Sequence, residues 1–194
     1  MKRLVSLAAL LSAISFAKAG SITFTSPSSL ASMDGNYYYT WGISTSWRLP
    51  SGGHLTSATL TYNNIQLTAF GNANPGVLWT HLLDTTTTGV KTGTDNDNPS
   101  DAFAGSGLFL GKQSFATLNS PATFSYNLDL TTLASYLADG KFGIGIDPDC
   151  HYTDSSIQLV INYDPVPESA STVLLLGAGF SLLGLLRRKV TLMA

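Results

Sequence analysis

Cysteine is nearly missing from this sequence, and Cys150, the only one in 194 residues, excludes an internal disulfide framework as a source of stability. A lone thiol belongs to one of the most buried side-chain types, so Cys150 is expected inside the fold. Glutamate also occurs once, as Glu168. A glycosidase-like pair of carboxylic groups would therefore have to be built from aspartates, and no aspartate spacing singles out such a pair. No G-x-S-x-G elbow is present to expose a nucleophilic serine, and no glycine-rich phosphate loop follows a strand. Charge of either sign is sparse, at 11% of residues against roughly 25% in an average soluble domain. These absences favour a non-enzymatic protein built of strands and turns.

The few charges are segregated. Lys2, Arg3 and Lys18 stand at the front and Arg187, Arg188 and Lys189 at the back. Between Gly20 and Asp164 only Arg48, Lys91, Lys112 and Lys141 oppose eleven aspartates, a net charge of −7. Nucleic acid demands clustered Lys and Arg against its phosphates, so it is excluded as a partner; cations, neutral glycans and protein surfaces suit an acidic middle better.

Both ends have the build of processing signals. Residues 1–19 combine a cationic start, an apolar run from Leu4 to Phe16 and the small-x-small sequence Ala17-Lys18-Ala19. This is the pattern of a signal peptide removed by signal peptidase, leaving Gly20 as the mature N-terminus. At the other end an apolar segment, residues 169–186, runs directly into Arg187-Arg188-Lys189. About 18 apolar residues reach the lower limit for a transmembrane helix, and the positive cluster keeps the far side cytoplasmic, with the preceding domain outside.

Immediately before that segment stands Val166-Pro167-Glu168-Ser169-Ala170-Ser171-Thr172. This motif, the apolar segment and the basic cluster, in that order, resemble the PEP-CTERM sorting tail, in a variant where Ser169 replaces the usual second proline. The resemblance covers residues 166–194 and implies recognition by an exosortase-like peptidase, transient membrane anchoring, cleavage near Pro167-Glu168, and release or attachment at the cell surface, often alongside exopolysaccharide. A C-terminal anchor that is never cleaved is the alternative.

Between the signals, residues 20–164 alternate with period 2. Ala58, Leu60 and Tyr62 face one way, as do Phe124, Tyr126 and Leu128, and Ile157, Leu159, Ile161 and Tyr163. Further strands are expected at 21–25, 37–41, 47–49, 77–83, 108–110 and 142–146, separated by Gly-, Asn-, Pro- and Ser-rich breaks. The fold expected is an all-β, antiparallel, jelly-roll-like β-sandwich. One short helix is expected at 130–138, where Leu130, Leu133, Tyr136 and Leu137 share a face.

Four clusters are candidates for chemistry. Asp95, Asp97 and Asp101, in Thr94-Asp95-Asn96-Asp97-Asn98-Pro99-Ser100-Asp101, offer the hard oxygens that a structural calcium ion takes, and equally the side chains of an ordinary solvated turn. Asp147-Pro148-Asp149-Cys150-His151 falls short of the four ligands of a structural zinc site and reads as a strand-connecting loop whose aspartates satisfy turn amides. His81 lies in line with Val77, Trp79 and Leu83, as a packed residue of a strand face would. In the aromatic stretch, Tyr37, Tyr39 and Trp41 alternate as an inward face, whereas Tyr38 and Trp47 are the rings that could stack on sugars. The expectation is therefore an exported surface or matrix protein, sorted through its tail and associated with envelope or exopolysaccharide. A carbohydrate-binding module is the competing class.

Overall fold

The computed structural model describes residues 19–71, 75–84, 86–96 and 98–164. The leader through Lys18, Ala17 included, Asp97, the motif Val166, Pro167, Glu168 and Ser169, the apolar segment and Arg187, Arg188 and Lys189 all lie outside the described residues. Among those described, no helix is long and apolar enough to cross a membrane.

The alternation read from the sequence is what builds the domain. Ala58, Leu60 and Tyr62 are buried, as are Ile157, Leu159 and Ile161, and the polar residues between them stay at least partly open to solvent. Among the described residues eleven strands result: β1 (Gly20–Thr25), β2 (Ser32–Met33), β3 (Tyr37–Ser44), β4 (His54–Ala69), β5 (Gly76–Asp84), β6 (Gly89–Thr94), β7 (Leu108–Phe115), β8 (Ala122–Asn127), β9 (Lys141–Pro148), β10 (His151–Thr153) and β11 (Ser156–Asp164). They form two antiparallel sheets. The six-stranded sheet runs β1-β11-β4-β10-β2, with β8 on β4, and the five-stranded sheet runs β6-β3-β9-β5-β7. The molecule is an all-β sandwich.

The core lies between the sheets. Leu60, Tyr62, Ile157 and Leu159 from the first meet Trp41, Leu78, Leu82, Ile144 and Ile146 from the second in one buried cluster. At its centre the Tyr62 ring stacks on Phe124 with centroids 4.9 Å apart, and its hydroxyl lies 3.0 Å from Thr80 Oγ1. Cys150 is buried, as expected. The long strand β4 serves both β11 and β10, which follow one another along the same edge of it; the step between them falls at Asp154 and Ser155, whose amides donate to Ala31 O and Asn63 O.

One short helix, α1 (Leu130–Tyr136), sits where the leucine spacing placed it. Asp129 caps it, accepting from Thr132 N–H at 2.8 Å, and the Gly140 amide bonds Leu137 O beyond its end. The sandwich begins and ends side by side: Gly20 of β1 pairs with Tyr163 of β11, one residue short of that strand's end.

Three expectations need correction. Residues 47–49 form no strand; they belong to an irregular crossing where Arg48 donates to the carbonyls of Thr45, Trp47 and Asp139 instead of to a ladder. Tyr37 is not part of the inward face of β3: it stands at the strand's first position, 43% exposed, and only Tyr39 and Trp41 reach the core. Asp147 and Pro148 are not loop residues, because β9 continues through both. The strands β2, β6 and β10 have no clear signal in the sequence, being short or rich in glycine and polar residues.

Candidate functional site

The outer face of the five-stranded sheet gathers most of the unusual side chains. Along β5 the inward residues are Leu78, Thr80 and Leu82, so Trp79, His81 and Leu83 project outward. On β9 the outward positions between the buried Phe142, Ile144 and Ile146 are Gly143, Gly145 and Asp147. On β3 they are Tyr38, Thr40 and Gly42, and across from Thr40 stands Lys91 of β6.

This face is not bare. The segment leading into β7 folds back over it and seats Phe103 on the backbone of Gly145, where an added Cβ would come within 3.1 Å of the ring. Glycine at 145 is what lets the ring lie that close. Phe103 also meets Tyr38 edge-on at 5.3 Å and His81 at 5.8 Å.

His81 clasps the same segment. Its Nδ1 lies 3.0 Å from the carbonyl oxygen of Ser106 and its Nε2 lies 2.8 Å from Asp101 Oδ2. A carbonyl only accepts, so Nδ1 is the donor to Ser106 O, and Nε2 faces the Asp101 carboxylate. At 3% exposure, with both nitrogens engaged inside the protein, His81 works as a fastener.

Asp101 has a second duty, accepting from Phe103 N–H at 2.9 Å, and the neighbouring Ala102 N–H donates to Asp147 Oδ2 at 2.7 Å. Asp147 is fully buried, and its Oδ1 has no hydrogen-bond partner among the described residues. Burial, followed by repulsion from Asp95, Asp149 and Asp101, pushes its carboxyl up to about 7.

Of the three residues read as calcium ligands, Asp97 lies outside the described residues and the other two have separate roles. Asp101 is turned to His81, while Asp95 Oδ2 accepts from Asn98 N–H in a turn that Asn98 continues by accepting from Ser100. Among the described residues no three His, Cys, Asp or Glu side chains are gathered as a metal set.

The two rings read as sugar platforms are both half-buried and lie in different places. Tyr38 packs against Phe103 and over Gly93, and Trp47 packs against Tyr163 at 5.1 Å. More open rings stand elsewhere: Phe109 is 49% exposed, tilted against Trp79 at 6.1 Å, and Lys112 Nζ sits 4.8 Å above the Trp79 ring. The alternation at 77–83 put Trp79 and His81 on one packed face of a strand, without showing that this face lies outside the sandwich, and nothing near Phe109 in sequence marked it.

Beside Phe103 the outer face opens into a groove of about 440 Å³. Thr86 and Thr87 form one wall and Phe103 and Ser106 the other, with Thr40 and Lys91 in reach from the sheet. The sequence offered no signal for it, because its lining comes from four separate stretches of chain. Compared with models of known protein families the chain matches none, and no curated protein matches it.

Proposed function

We propose that this chain is an exported, non-enzymatic surface or matrix protein, made with a signal peptide and sorted through a PEP-CTERM-like tail. The observation that carries the reading is the order of parts in the tail: Val166-Pro167-Glu168-Ser169, an apolar segment and Arg187-Arg188-Lys189, behind a domain that itself follows a cationic, apolar, small-x-small leader. In this reading signal peptidase cuts after Ala19, the tail spans the membrane once, and an exosortase-like peptidase cleaves near Pro167-Glu168. The sandwich is thereby delivered to the envelope or to exopolysaccharide.

Two structural facts support it. Among the described residues the sheets run from Gly20 to Asp164, the span between the leader and the tail. Its core is sealed by packing alone, with a single buried thiol, which makes it indifferent to the redox state of the compartment. The strand order further suggests a jelly-roll-like winding, because the chain crosses repeatedly between the two sheets.

Expression of the full chain in a bacterium that carries such a sorting peptidase, followed by fractionation and intact mass, tests the proposal. The mature protein is expected outside the cytoplasm, starting at Gly20 and ending near Pro167-Glu168. A cytoplasmic product that keeps Met1 would overturn it. An exported product with an intact C-terminus would overturn cleavage and leave a permanent anchor.

A further inference from the structure

Resting on that reading, we propose that the groove on the outer face of the five-stranded sheet binds a segment of a neutral polysaccharide, an uncharged chain of hydroxylated sugar rings. At about 440 Å³ the groove has the size of a ligand site, for which roughly 300–1,000 Å³ is usual. It is open, so a polymer can run through it and need not end inside.

Its chemistry matches sugar hydroxyls. Thr40, Thr87 and Ser106 bring three hydroxyl groups to the lining, each able to donate and accept, as each hydroxyl of a sugar does. Thr86 Oγ1 donates its hydrogen to Phe142 O, so this hydroxyl can only accept from a ligand. One carboxylate, Asp84, and one ammonium, Lys91, complete the polar set. Their charges cancel: a polyanion drawn by Lys91 meets Asp84, and a polycation meets the reverse, which leaves an uncharged chain as the ligand that neither repels. The ring of Tyr136 adds an apolar surface for the C–H face of a pyranose.

The walls are held before any ligand arrives. Thr40 and Lys91 are direct cross-strand partners, and the opposite wall is pinned by Phe103 on Gly145 and by the bonds from His81 to Ser106 O and Asp101. A site that is already ordered spares the ligand that entropy cost. Phe109, outside the groove, offers an exposed ring without these hydroxyls around it.

Affinity electrophoresis of the full chain in gels containing dextran, galactomannan or a soluble β-glucan, with alginate as the polyanion, tests the site. At least one neutral polymer should retard the protein, and alginate should not. Thr40→Val and Ser106→Ala should each weaken retardation by roughly three- to tenfold, one hydrogen bond's worth, while Phe109→Ala leaves it unchanged. Thr87→Val, on an exposed loop, provides the same measurement should Thr40→Val fail to fold. Three results would overturn the proposal: no retardation by any neutral polymer, stronger retardation by alginate, or retardation that survives the groove variants and is lost in Phe109→Ala. Fractionation separates this from the wider reading, since an exported protein that no neutral polymer retards sinks the groove alone.

Discussion

Asp147→Asn is expected to stabilise the protein at about pH 8 and to flatten the change in its stability between about pH 5 and pH 8. Asp147 is fully buried, with Oδ2 held by Ala102 N–H and Oδ1 without a hydrogen-bond partner among the described residues. Burial first, and then the neighbouring Asp95, Asp149 and Asp101, raise its carboxyl to about 7, whereas in the unfolded chain it titrates near 3.8. A carboxyl raised on folding favours the native state in acid. Its contribution is complete below the unfolded value and is lost as pH climbs through the folded one, a difference of about 4 kcal/mol when both limits are reached.

Asp154, at the step between β10 and β11, works in the same sense, because burial raises its carboxyl to about 6. Opposing them on the acid side are Asp34, whose carboxylate accepts from Asn36 N–H, and Asp129 at the cap of α1, both held below the usual carboxylate range. Their stabilisation is present above about pH 4 and fades below it. The unfolding free energy should therefore peak near pH 4, decline as pH rises to about 7 and level off toward pH 8. The amide of Asn keeps an acceptor for Ala102 N–H and has no charge to desolvate, so the variant should retain its stability at the alkaline end. Urea titrations at about pH 5 and pH 8 measure this, and an equal alkaline loss in both proteins would show that ionisation of Asp147 is not its source.

The second large effect is expected at Tyr62. Its side chain is completely buried between the sheets, stacked on Phe124, edge-on to Tyr126 at 6.4 Å, and bonded to Thr80. Tyr62→Ala removes the ring, opens a cavity in the centre of the core and strips Thr80 of its buried partner, for a loss of about 3–5 kcal/mol. Tyr62→Phe keeps the ring and loses only the hydroxyl, so it should cost about 1–3 kcal/mol. Chemical denaturation of the two variants separates packing from hydrogen bonding, and equal losses would mean that the ring contributes nothing of its own.

Both effects come from side chains whose importance the sequence showed unequally. Tyr62 was legible, because it falls in register with Ala58 and Leu60 in a period-2 run, and such a run has one dry face. Asp147 was misread, because Asp-Pro-Asp is the composition of a turn, and local composition carries no information that β9 passes beneath the segment holding Asp101 and Phe103. His81 was legible as a packed residue but its partners were not: Ser106 and Asp101 lie 25 and 20 residues away, in a stretch of glycine, serine and aspartate without periodicity. Trp47–Leu49 looked like a strand, yet the Arg48 guanidinium takes up the carbonyls there that a ladder would have used.

What the sequence determined by itself is the β class, the inward faces of β4 and β11, a short helix within 130–138 and the expectation of export. Each of those depends on short-range regularities: alternation, capping, and apolar runs beside charges. Tertiary structure alone decided the partition of strands into two sheets, the clasp at His81, the buried carboxyl of Asp147 and the groove. These depend on which distant segments come to lie on one another, and that is settled by closing a common core, a condition on the whole chain that no local stretch encodes.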